Sequence, residues 1–199
     1  MFERFLAVLL LILLFPVFLI LYILVKLDSS GSFLFRQLRA GKNRKPFLMF
    51  KIRTMVENAE ELKQELLTKN EADGPVFKIR NDPRFTRVGR IISRIGIDEL
   101  AQLINIAKGE MSFVGPRPLL LPEAAALPKE YNKRFKVKPG IFSSWVAEGA
   151  FHNDFDRWMK FDLQDVENKN LWYDLKIVVK SLRFWLKLII NLCLNSRRD

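Results

Sequence analysis

The segment RIISRIGIDELAQLINIAKG, residues 90–109, combines a helical hydrophobic pattern with two adjacent carboxylates. Its apolar residues recur at intervals of three or four up to Gly109, and glycine commonly ends helices, so Asp98 is predicted at or near a helix N-terminus. Backbone N–H groups and the helix dipole favour negative charge there and should keep Asp98 ionised. An acid at that position is also an ordinary helix cap, and for Asp98 and Glu99 this simpler interpretation stays open on these residues alone.

The composition indicates one domain and a polyanionic partner. The chain has 199 residues, 49% of them hydrophobic, and a formal net charge of +11, which suffices for one core plus an extra hydrophobic element. Charge alone does not choose among nucleic acid, an anionic membrane face and phosphorylated substrates. The single cysteine and single histidine exclude a disulfide framework within the chain, a cysteine-based zinc cluster and a histidine-rich metal site.

A hydrophobic segment predicts a membrane helix in a first domain at residues 1–26. Residues 5–25 carry no charge, and these 21 residues are about the length that crosses a bilayer core as a helix. A cleaved signal peptide is the alternative, but the run is bulky and lacks a small-x-small cleavage site before Lys26. Pro16 removes a helical hydrogen bond, so a kink is predicted at Phe15-Pro16. A kinked helix either spans the bilayer or turns back.

The second predicted domain, residues 27–199, is expected to be cytoplasmic. Between residues 26 and 53 there are eight basic residues and one acid, Asp28. Basic segments beside membrane helices face the cytoplasm and are attracted to anionic headgroups. The apolar runs at residues 33–35 and 47–50 flank a basic stretch and predict a two-stranded ribbon, although a solvated loop is the alternative for the turn.

A helix and a row of arginines are predicted before the carboxylates. Residues 56–70 predict an amphipathic helix with a solvated acidic face. Four arginines then follow at intervals of three or four, which would place them on one face of a helix: Arg84, Arg87, Arg90 and Arg94. No nucleic-acid module or aromatic stacking platform accompanies them, so we expect no nucleic-acid partner. Guanidinium groups leading into a carboxylate pair suit a diphosphate held beside catalytic acids.

Adjacent carboxylates beside arginines have a defined use in phosphoryl chemistry. One carboxylate can attack phosphorus as a nucleophile, or both can help to hold Mg²⁺, which prefers oxygen ligands and substrate phosphates. Arginine and metal then offset the charge that develops on the phosphoryl oxygens. The residues alone therefore indicate phosphoryl-type chemistry.

An ordered series of motifs between about residues 15 and 180 resembles a known family. The motifs are Lys45-Pro46-Phe47, Lys51-Ile-Arg53-Thr54-Met55, Asp82-Pro83-Arg84, Asp98-Glu99-Leu100-Ala-Gln102-Leu103, Lys108-Gly109-Glu110-Met111-Ser112-Phe-Val-Gly-Pro-Arg-Pro118 and Pro139-Gly140. Each fragment is weak, but the series is specific. The chain resembles the bacterial sugar transferases known as monotopic phosphoglycosyl transferases, in their short catalytic form.

The resemblance implies a helix-rich α/β domain with a re-entrant N-terminal membrane helix and amphipathic interfacial helices. It implies transfer of a phosphosugar from a nucleoside-diphosphate sugar, usually a UDP-sugar, to polyprenol phosphate at the cytoplasmic face of the bacterial inner membrane. Such a step would initiate assembly of a membrane-linked glycan such as exopolysaccharide or lipopolysaccharide. Whether the chain forms a homo-oligomer stays open.

The resemblance also implies roles for individual residues. Asp98 would be the nucleophile that forms a covalent phosphosugar intermediate and would also bind Mg²⁺, and Glu99 would complete the catalytic pair. Substrate- or phosphate-binding roles would fall to Lys51, Arg53, Arg94, Arg117 and Asp162.

Three positions depart from the family pattern. Phe15 replaces the serine that usually precedes the membrane-helix proline, and Ala101, a good helix former, replaces a proline at no local cost. The loop at residues 142–151 departs most, since Ala150 stands where an arginine is expected and Glu148 adds an acid. This leaves open an unusual donor, or a catalytically degenerate membrane-surface relative that binds polyprenol phosphate or scaffolds a glycan assembly complex.

The segment at residues 171–194 predicts an amphipathic helix. Its basic residues recur at intervals of four, three and four, and apolar residues fill the remaining surface: Lys176, Lys180, Arg183 and Lys187 form the basic stripe. This pattern fits a helix lying in the headgroup region, with packing against the domain as the alternative.

Overall fold

The computed structural model of the protein describes residues 1–149 and 154–195, and it begins with two helices set at an angle. Helices α1 (Phe2–Leu13) and α2 (Phe15–Asp28) are bent by 60° at Leu14. Pro16 lies in the first turn of α2, where its missing N–H needs no helical partner. The kink predicted at Phe15-Pro16 is confirmed, and it lies at Leu14, one residue earlier. Within the described ranges no single helix meets the length and hydropathy expected of a membrane span, whereas the bent pair taken together does.

The first end of this bent pair is tied to the segment that follows the carboxylates. Glu3 accepts hydrogen bonds from the hydroxyl of Ser112 and from the N–H of Phe113 (3.2 Å). Arg4 donates to the carbonyl oxygen of Lys108 (2.7 Å). Helix α1 therefore packs on the domain from its first turn.

The second end of the pair is tied to the same domain. Asp28 accepts a hydrogen bond from the N–H of Val88 (2.9 Å). The guanidinium of Arg53 donates to the carbonyl oxygens of Ser29 and Ser30. Both ends of the bent pair are thus fixed to the chain that surrounds the carboxylates.

The predicted two-stranded ribbon is confirmed. Strand β1 (Leu34–Ala40) pairs antiparallel with strand β2 (Pro46–Ile52), and the basic turn between them is a 3₁₀ helix, Lys42–Arg44. One face of β2 packs on α1, while the other packs on α2. Because both faces are covered, β2 is held firmly and can aim Lys51, its last residue but one, at a fixed point.

The helices predicted between the ribbon and the carboxylates are shorter than expected. Helix α3 spans only Ala59–Glu65, with a 3₁₀ turn after it, and α4 spans Arg87–Ile95, capped by the hydroxyl of Thr86. The predicted four-arginine face is wrong for Arg84, which lies before α4. Its guanidinium is buried and pairs with Asp82 at 2.6 Å. This local ion pair holds Arg84 in the segment before α4.

The rest of the chain forms short elements around the site. In order they are a 3₁₀ helix Ile97–Gln102, α5 (Leu103–Lys108), β3 (Ser112–Val114), α6 (Leu121–Ala125), a 3₁₀ helix Lys129–Lys136, β4 (Gly140–Phe142), α7 (Ser144–Ala147), α8 (Phe155–Glu167) and α9 (Leu171–Asn195). Strands β3 and β4 pair in parallel. The helix-rich α/β class is confirmed, with two small sheets in the described part of the chain.

The predicted C-terminal amphipathic helix is confirmed as α9. Ile177 and Ser181 are buried against the domain, so packing accounts for one side. A row of large apolar side chains remains exposed on α9: Leu171, Trp172, Leu175, Val179, Leu182, Leu186, Ile189 and Ile190. Packing against the domain is therefore confirmed for one side of α9, and a position of the exposed row in the headgroup region stays a prediction.

Gly89 marks the closest approach between α4 and the chain after β2, and it generates a stability prediction. A Cβ atom at this position would overlap the carbonyl oxygen of Thr54. Alanine is the better helix former by about 1 kcal/mol. Overlap with a backbone atom is not relieved by a rotamer change, however, and overpacking costs about 1–3 kcal/mol. We expect Gly89→Ala to lower the unfolding temperature.

Ile91, exposed on the same helix, provides the control. Thermal unfolding of Ile91→Ala should lie at or slightly above that of the parent protein, because only helix propensity changes. A Gly89→Ala protein that unfolds at or above the parent temperature would show that the helix is free to move away.

Candidate phosphate-directed site

The two carboxylates lie in a tight turn directly after α4. Gly96, with φ of +79°, ends α4 and starts the 3₁₀ helix Ile97–Gln102, so Asp98 and Glu99 fall in its first turn. The predicted helix start is confirmed, in 3₁₀ rather than α form. Side chains, not backbone N–H groups, supply the hydrogen bonds that hold the two carboxylates. The interpretation of Asp98 as the helix cap is therefore wrong, because Gly96 occupies the cap position, whereas Glu99 does lie in the first turn.

Two cations from distant segments meet at the carboxylate pair. Lys51 Nζ lies 2.9 Å from Asp98 Oδ2 and 3.1 Å from Glu99 Oε1. Arg117 Nη1, from the segment after β3, lies 2.7 Å from the same Glu99 oxygen. Both carboxylates are buried. The structure thus brings together four of the residues that the sequence analysis named.

Lys51 is aimed by a buried amide. The side chain of Asn105, in α5, accepts a hydrogen bond from the N–H of Phe50 (3.0 Å) and donates to the carbonyl oxygen of Leu48 (2.8 Å). Asn105 is fully buried, so these bonds fix the strand that carries Lys51 to the helix that follows the carboxylates.

Burial acts to raise the pKa of both carboxylates, but the net shifts of the two pKa values have opposite directions. Burial raises the pKa of Asp98, and the opposing effect of Lys51 does not cancel it. Burial also acts to raise the pKa of Glu99, but Arg117 and Lys51 together outweigh it and hold that pKa at about 2. The pKa of Asp98 thus shifts in the direction opposite to the one expected from a helix start, because burial is the largest effect on it.

Asp162 reaches the site only through intermediaries. It is fully buried in α8, and its Oδ2 accepts a hydrogen bond from Arg134 Nη2 at 2.5 Å. The same nitrogen donates to the carbonyl oxygen of Arg117 at 2.8 Å. Burial raises the pKa of Asp162 to about 7, although Arg134 acts in the opposite direction. A direct substrate contact by Asp162 stays a prediction.

Sequence analysis missed Arg134. It sits among Lys133 and Lys136 in a strongly basic segment, and no local pattern tells a buried cation from a solvated one there. The available signal was indirect: Asp162 shares one face of α8 with Trp158 and Met159, and an acid that is buried on such a face needs a cationic partner.

Arg39 was missed for a similar reason. Its guanidinium donates to the carbonyl oxygen of Pro118 (3.1 Å), beside Arg117. Burial lowers the pKa of Arg39 to about 10, against the opposing effect of Glu123. Lys78 also lies near enough to be affected: burial and then Arg117 lower its pKa. The site therefore carries more positive charge than the motifs alone indicated.

Two predicted phosphate-binding residues lie outside this cluster. Arg53 is buried and directed at Ser29 and Ser30, as described above. Arg94 is exposed in the last turn of α4, and no hydrogen bond or ion pair among residues 1–149 and 154–195 links it to Asp98. Substrate-binding roles for Arg53 and Arg94 stay predictions.

The loop where the family pattern fails is an ordered, packed element as far as residue 149. The N–H of Ser144 donates to Asp165 Oδ2 (2.9 Å), and the hydroxyl of Tyr173 donates to Asp165 Oδ1 (2.9 Å). Trp145 is buried and stacks on Trp158, with ring centres 6.4 Å apart. Ala150 and Phe151 lie outside the described residues.

The carboxylate pair also bears on metal binding. In the described ranges, no group of three or more His, Cys, Asp and Glu side chains could hold a metal ion. Mg²⁺ commonly takes only one or two carboxylates and completes its shell with substrate phosphates and water. Asp98 and Glu99 fit that donor set, provided that Lys51 yields or the free oxygens are used.

A buried carboxylate pair contacted by a lysine and an arginine is thus the candidate site of this chain. The chain belongs to the bacterial sugar transferase family, whose model matches residues 1–188. The family resemblance stated from the motifs is thereby confirmed.

Relatives of known name support the same family. The exopolysaccharide production protein ExoY of Sinorhizobium fredii is 36% identical over 185 residues, 91% of this chain and 82% of that protein. Galactosyl transferase CpsE of Streptococcus agalactiae is 37% identical over 78% of this chain and 35% of its own length. UDP-glucose:undecaprenyl-phosphate glucose-1-phosphate transferase of Escherichia coli is 36% identical over 87% of this chain and 37% of its own length. The chain spans little more than a third of the latter two.

The depressed pKa of Glu99 gives a test of the site's electrostatics. Ionised Glu99 stabilises the folded state above its ordinary pKa of 4.5, and this contribution is lost as the pH falls from 4.5 towards the folded-state value of about 2. We expect the unfolding free-energy difference between the parent protein and Glu99→Gln to shrink across that interval, measured by chemical denaturation.

Arg117→Met supplies a second arm of this test. This substitution removes the cation that lowers the pKa of Glu99 most. The stabilising contribution of ionised Glu99 should therefore be lost at a higher pH than in the parent protein. A difference that stays constant through the whole interval would mean that Glu99 gains nothing from its two cations.

Proposed function

We propose that the protein transfers a phosphosugar from a UDP-sugar to polyprenol phosphate and so initiates the assembly of a membrane-linked glycan. The carrying observation is the buried Asp98–Glu99 pair held by Lys51 and Arg117 in a member of the bacterial sugar transferase family. The names of relatives, such as the undecaprenyl-phosphate galactose phosphotransferase of Salmonella typhimurium, support this reaction class.

In the first step, a carboxylate oxygen of Asp98 attacks the β-phosphorus of the donor. A phosphorus–oxygen bond to Asp98 forms, the phosphoanhydride bond breaks, and UMP leaves with the bonding electron pair. The sugar phosphate then remains on Asp98. Arg117 and Lys51 supply fixed positive charge where the phosphoryl oxygens become more negative.

In the second step, an oxygen of polyprenol phosphate attacks the same phosphorus atom. The bond between phosphorus and the oxygen of Asp98 breaks, which releases polyprenyl-diphosphate sugar and restores the carboxylate. Glu99, held ionised by its two cations, keeps Lys51 and Arg117 in place through both steps.

We propose Mg²⁺ as the cofactor, with Asp98 as its protein ligand and the donor diphosphate as the other source of oxygen. When bound, the ion would withdraw charge from the diphosphate and help UMP to leave.

The intact carboxylate and cation set favours a catalyst over a degenerate relative. Lys51 and Arg117 contact the carboxylates at hydrogen-bond distance, so the four groups that the proposed reaction uses are present together. The altered loop is therefore assigned to donor preference, not to loss of activity.

We infer that the bent helix pair enters the membrane and returns to the cytoplasmic side. Glu3 and Asp28, at its two ends, are bonded to the same domain, and a straight span would place them about 30 Å apart on opposite faces. The exposed apolar row of α9 would lie along the same membrane face. We propose accordingly that the catalytic domain lies at the inner membrane and faces the cytoplasm.

Trapping the intermediate tests the proposed reaction. Membranes incubated with Mg²⁺ and UDP-sugar, without lipid acceptor, should retain label on the protein when the sugar carries it. When the label is on the uridine instead, the protein should retain no label, because UMP leaves. Asp98→Asn should abolish the sugar label.

The exposed acid Asp73 provides the matched control, since Asp73→Asn makes the same chemical change away from the site. It should label like the parent protein. Sugar label that persists on Asp98→Asn would exclude Asp98 as the nucleophile, and uridine label on the parent protein would exclude this bond cleavage.

Side-specific labelling tests the re-entrant arrangement. The single cysteine, Cys193, can be replaced by serine, and reporters introduced one at a time as Phe2→Cys, Ser32→Cys and Lys133→Cys. We expect a membrane-impermeant maleimide to modify all three only when the cytoplasmic face is exposed. Lys133→Cys calibrates the side of the domain, and opposite labelling of Phe2→Cys and Ser32→Cys would establish a spanning helix instead.

A further inference from the structure

The buried pair formed by Arg134 and Asp162 has one outward contact that matters for the site. Its shared nitrogen, Arg134 Nη2, also donates to the backbone carbonyl of Arg117. Arg117 in turn holds Glu99 at 2.7 Å. We propose that Arg134, held by Asp162, is a positioning residue that fixes Arg117 and thereby Glu99; its effect on turnover rests on the proposed function.

Packing leaves Arg134 little freedom to move. Its side chain is 2% exposed, and that of Asp162 is 0% exposed. The guanidinium carbon lies 5.6 Å from the ring centre of Phe135 and 5.7 Å from that of Trp158, so aromatic rings hold the guanidinium in addition to the ion pair. A group held in this way can set the position of whatever it contacts.

Burying the ion pair of Arg134 and Asp162 is energetically unfavourable, which indicates a role other than stability. Buried ion pairs often contribute no more stability than apolar side chains of similar volume. Within the described residues, Arg134 also buries Nε and Nη1 without a hydrogen-bond partner. Unpaired buried donors are unfavourable. The arrangement is therefore poor as a stabilising device and well suited to holding the carbonyl of Arg117.

Replacing both members by apolar residues separates positioning from folding. The variant Arg134→Met with Asp162→Leu, here termed the apolar pair, keeps volume and removes both charges, so it should fold and unfold at a temperature close to the parent value. We expect its kcat for UMP release to fall roughly 100-fold, because small displacements of catalytic groups have effects of that size. KM for the donor should change less than about threefold.

The effect should depend on Arg117. If Arg134 acts through Arg117, adding the apolar pair to Arg117→Met should lower kcat little further. Equal fold-losses in both backgrounds would overturn the inference, as would a normal kcat in the apolar pair.

A second readout needs no turnover. The coupling between Glu99 and Arg117 can be measured as the non-additivity of Glu99→Gln and Arg117→Met in unfolding free energy. We expect it to fall by at least about half in the apolar pair, since an unpositioned Arg117 loses its fixed geometry. Unchanged coupling would overturn the inference.

The buried pair Asp82–Arg84 provides the matched control, because it is also a close ion pair with low exposure. Replacing it by leucine and methionine should leave the Glu99–Arg117 coupling unchanged, and loss of coupling there as well would overturn the specific role of Arg134. If the apolar pair does not fold, Arg134→Lys, which keeps the charge beside Asp162 but not the guanidinium fork, takes its place with the same expected results.

These measurements keep the two proposals apart. A parent protein that releases no UMP from any UDP-sugar would refute the proposed function. The stability coupling would still decide the role of Arg134, because it measures the Glu99–Arg117 contact directly.

Discussion

Two adjacent carboxylates in a buried turn impose the constraint on which the rest of the structure depends. Like charges that are also desolvated are unfavourable unless cations meet them at close range. Lys51 and Arg117 meet that requirement, and they come from strand β2 and from the segment after β3. The fold must therefore bring three distant parts of the chain to one point and hold them there.

The bent helix pair contributes to this convergence as well as offering an apolar surface. Its first helix holds the start of β3, just before the segment of Arg117, through Glu3. Its second helix holds the start of α4, the helix that leads to the carboxylates, through Asp28. The angle between its two helices and the assembly of the site are consequently linked, since a change in that angle would move both segments.

Prediction from sequence succeeded where the physical cause is local. Pro16 breaks a helix whatever surrounds it, and the apolar runs around the basic turn form a ribbon because their spacing allows little else. It failed where a partner distant in sequence decides. Arg84 pairs with Asp82 and lies outside the helix predicted for it. Burial, not the helix start, sets the direction of the pKa shift of Asp98. The role of Arg134 depends on its ion pair with Asp162, which lies in a different helix. Short-range periodicity carries no information about such pairs.

The described part of the altered loop packs on α8, the helix that carries Asp162. Ser144 and Tyr173 are both bonded to Asp165, one turn along α8 from Asp162, while Trp145 packs in the core below. The substituted residues thus have their own partners, and these partners sit on the helix that anchors Arg134. A loop that is packed in this way keeps its contacts with the helix that holds Asp162, while the carboxylate pair keeps both of its cations.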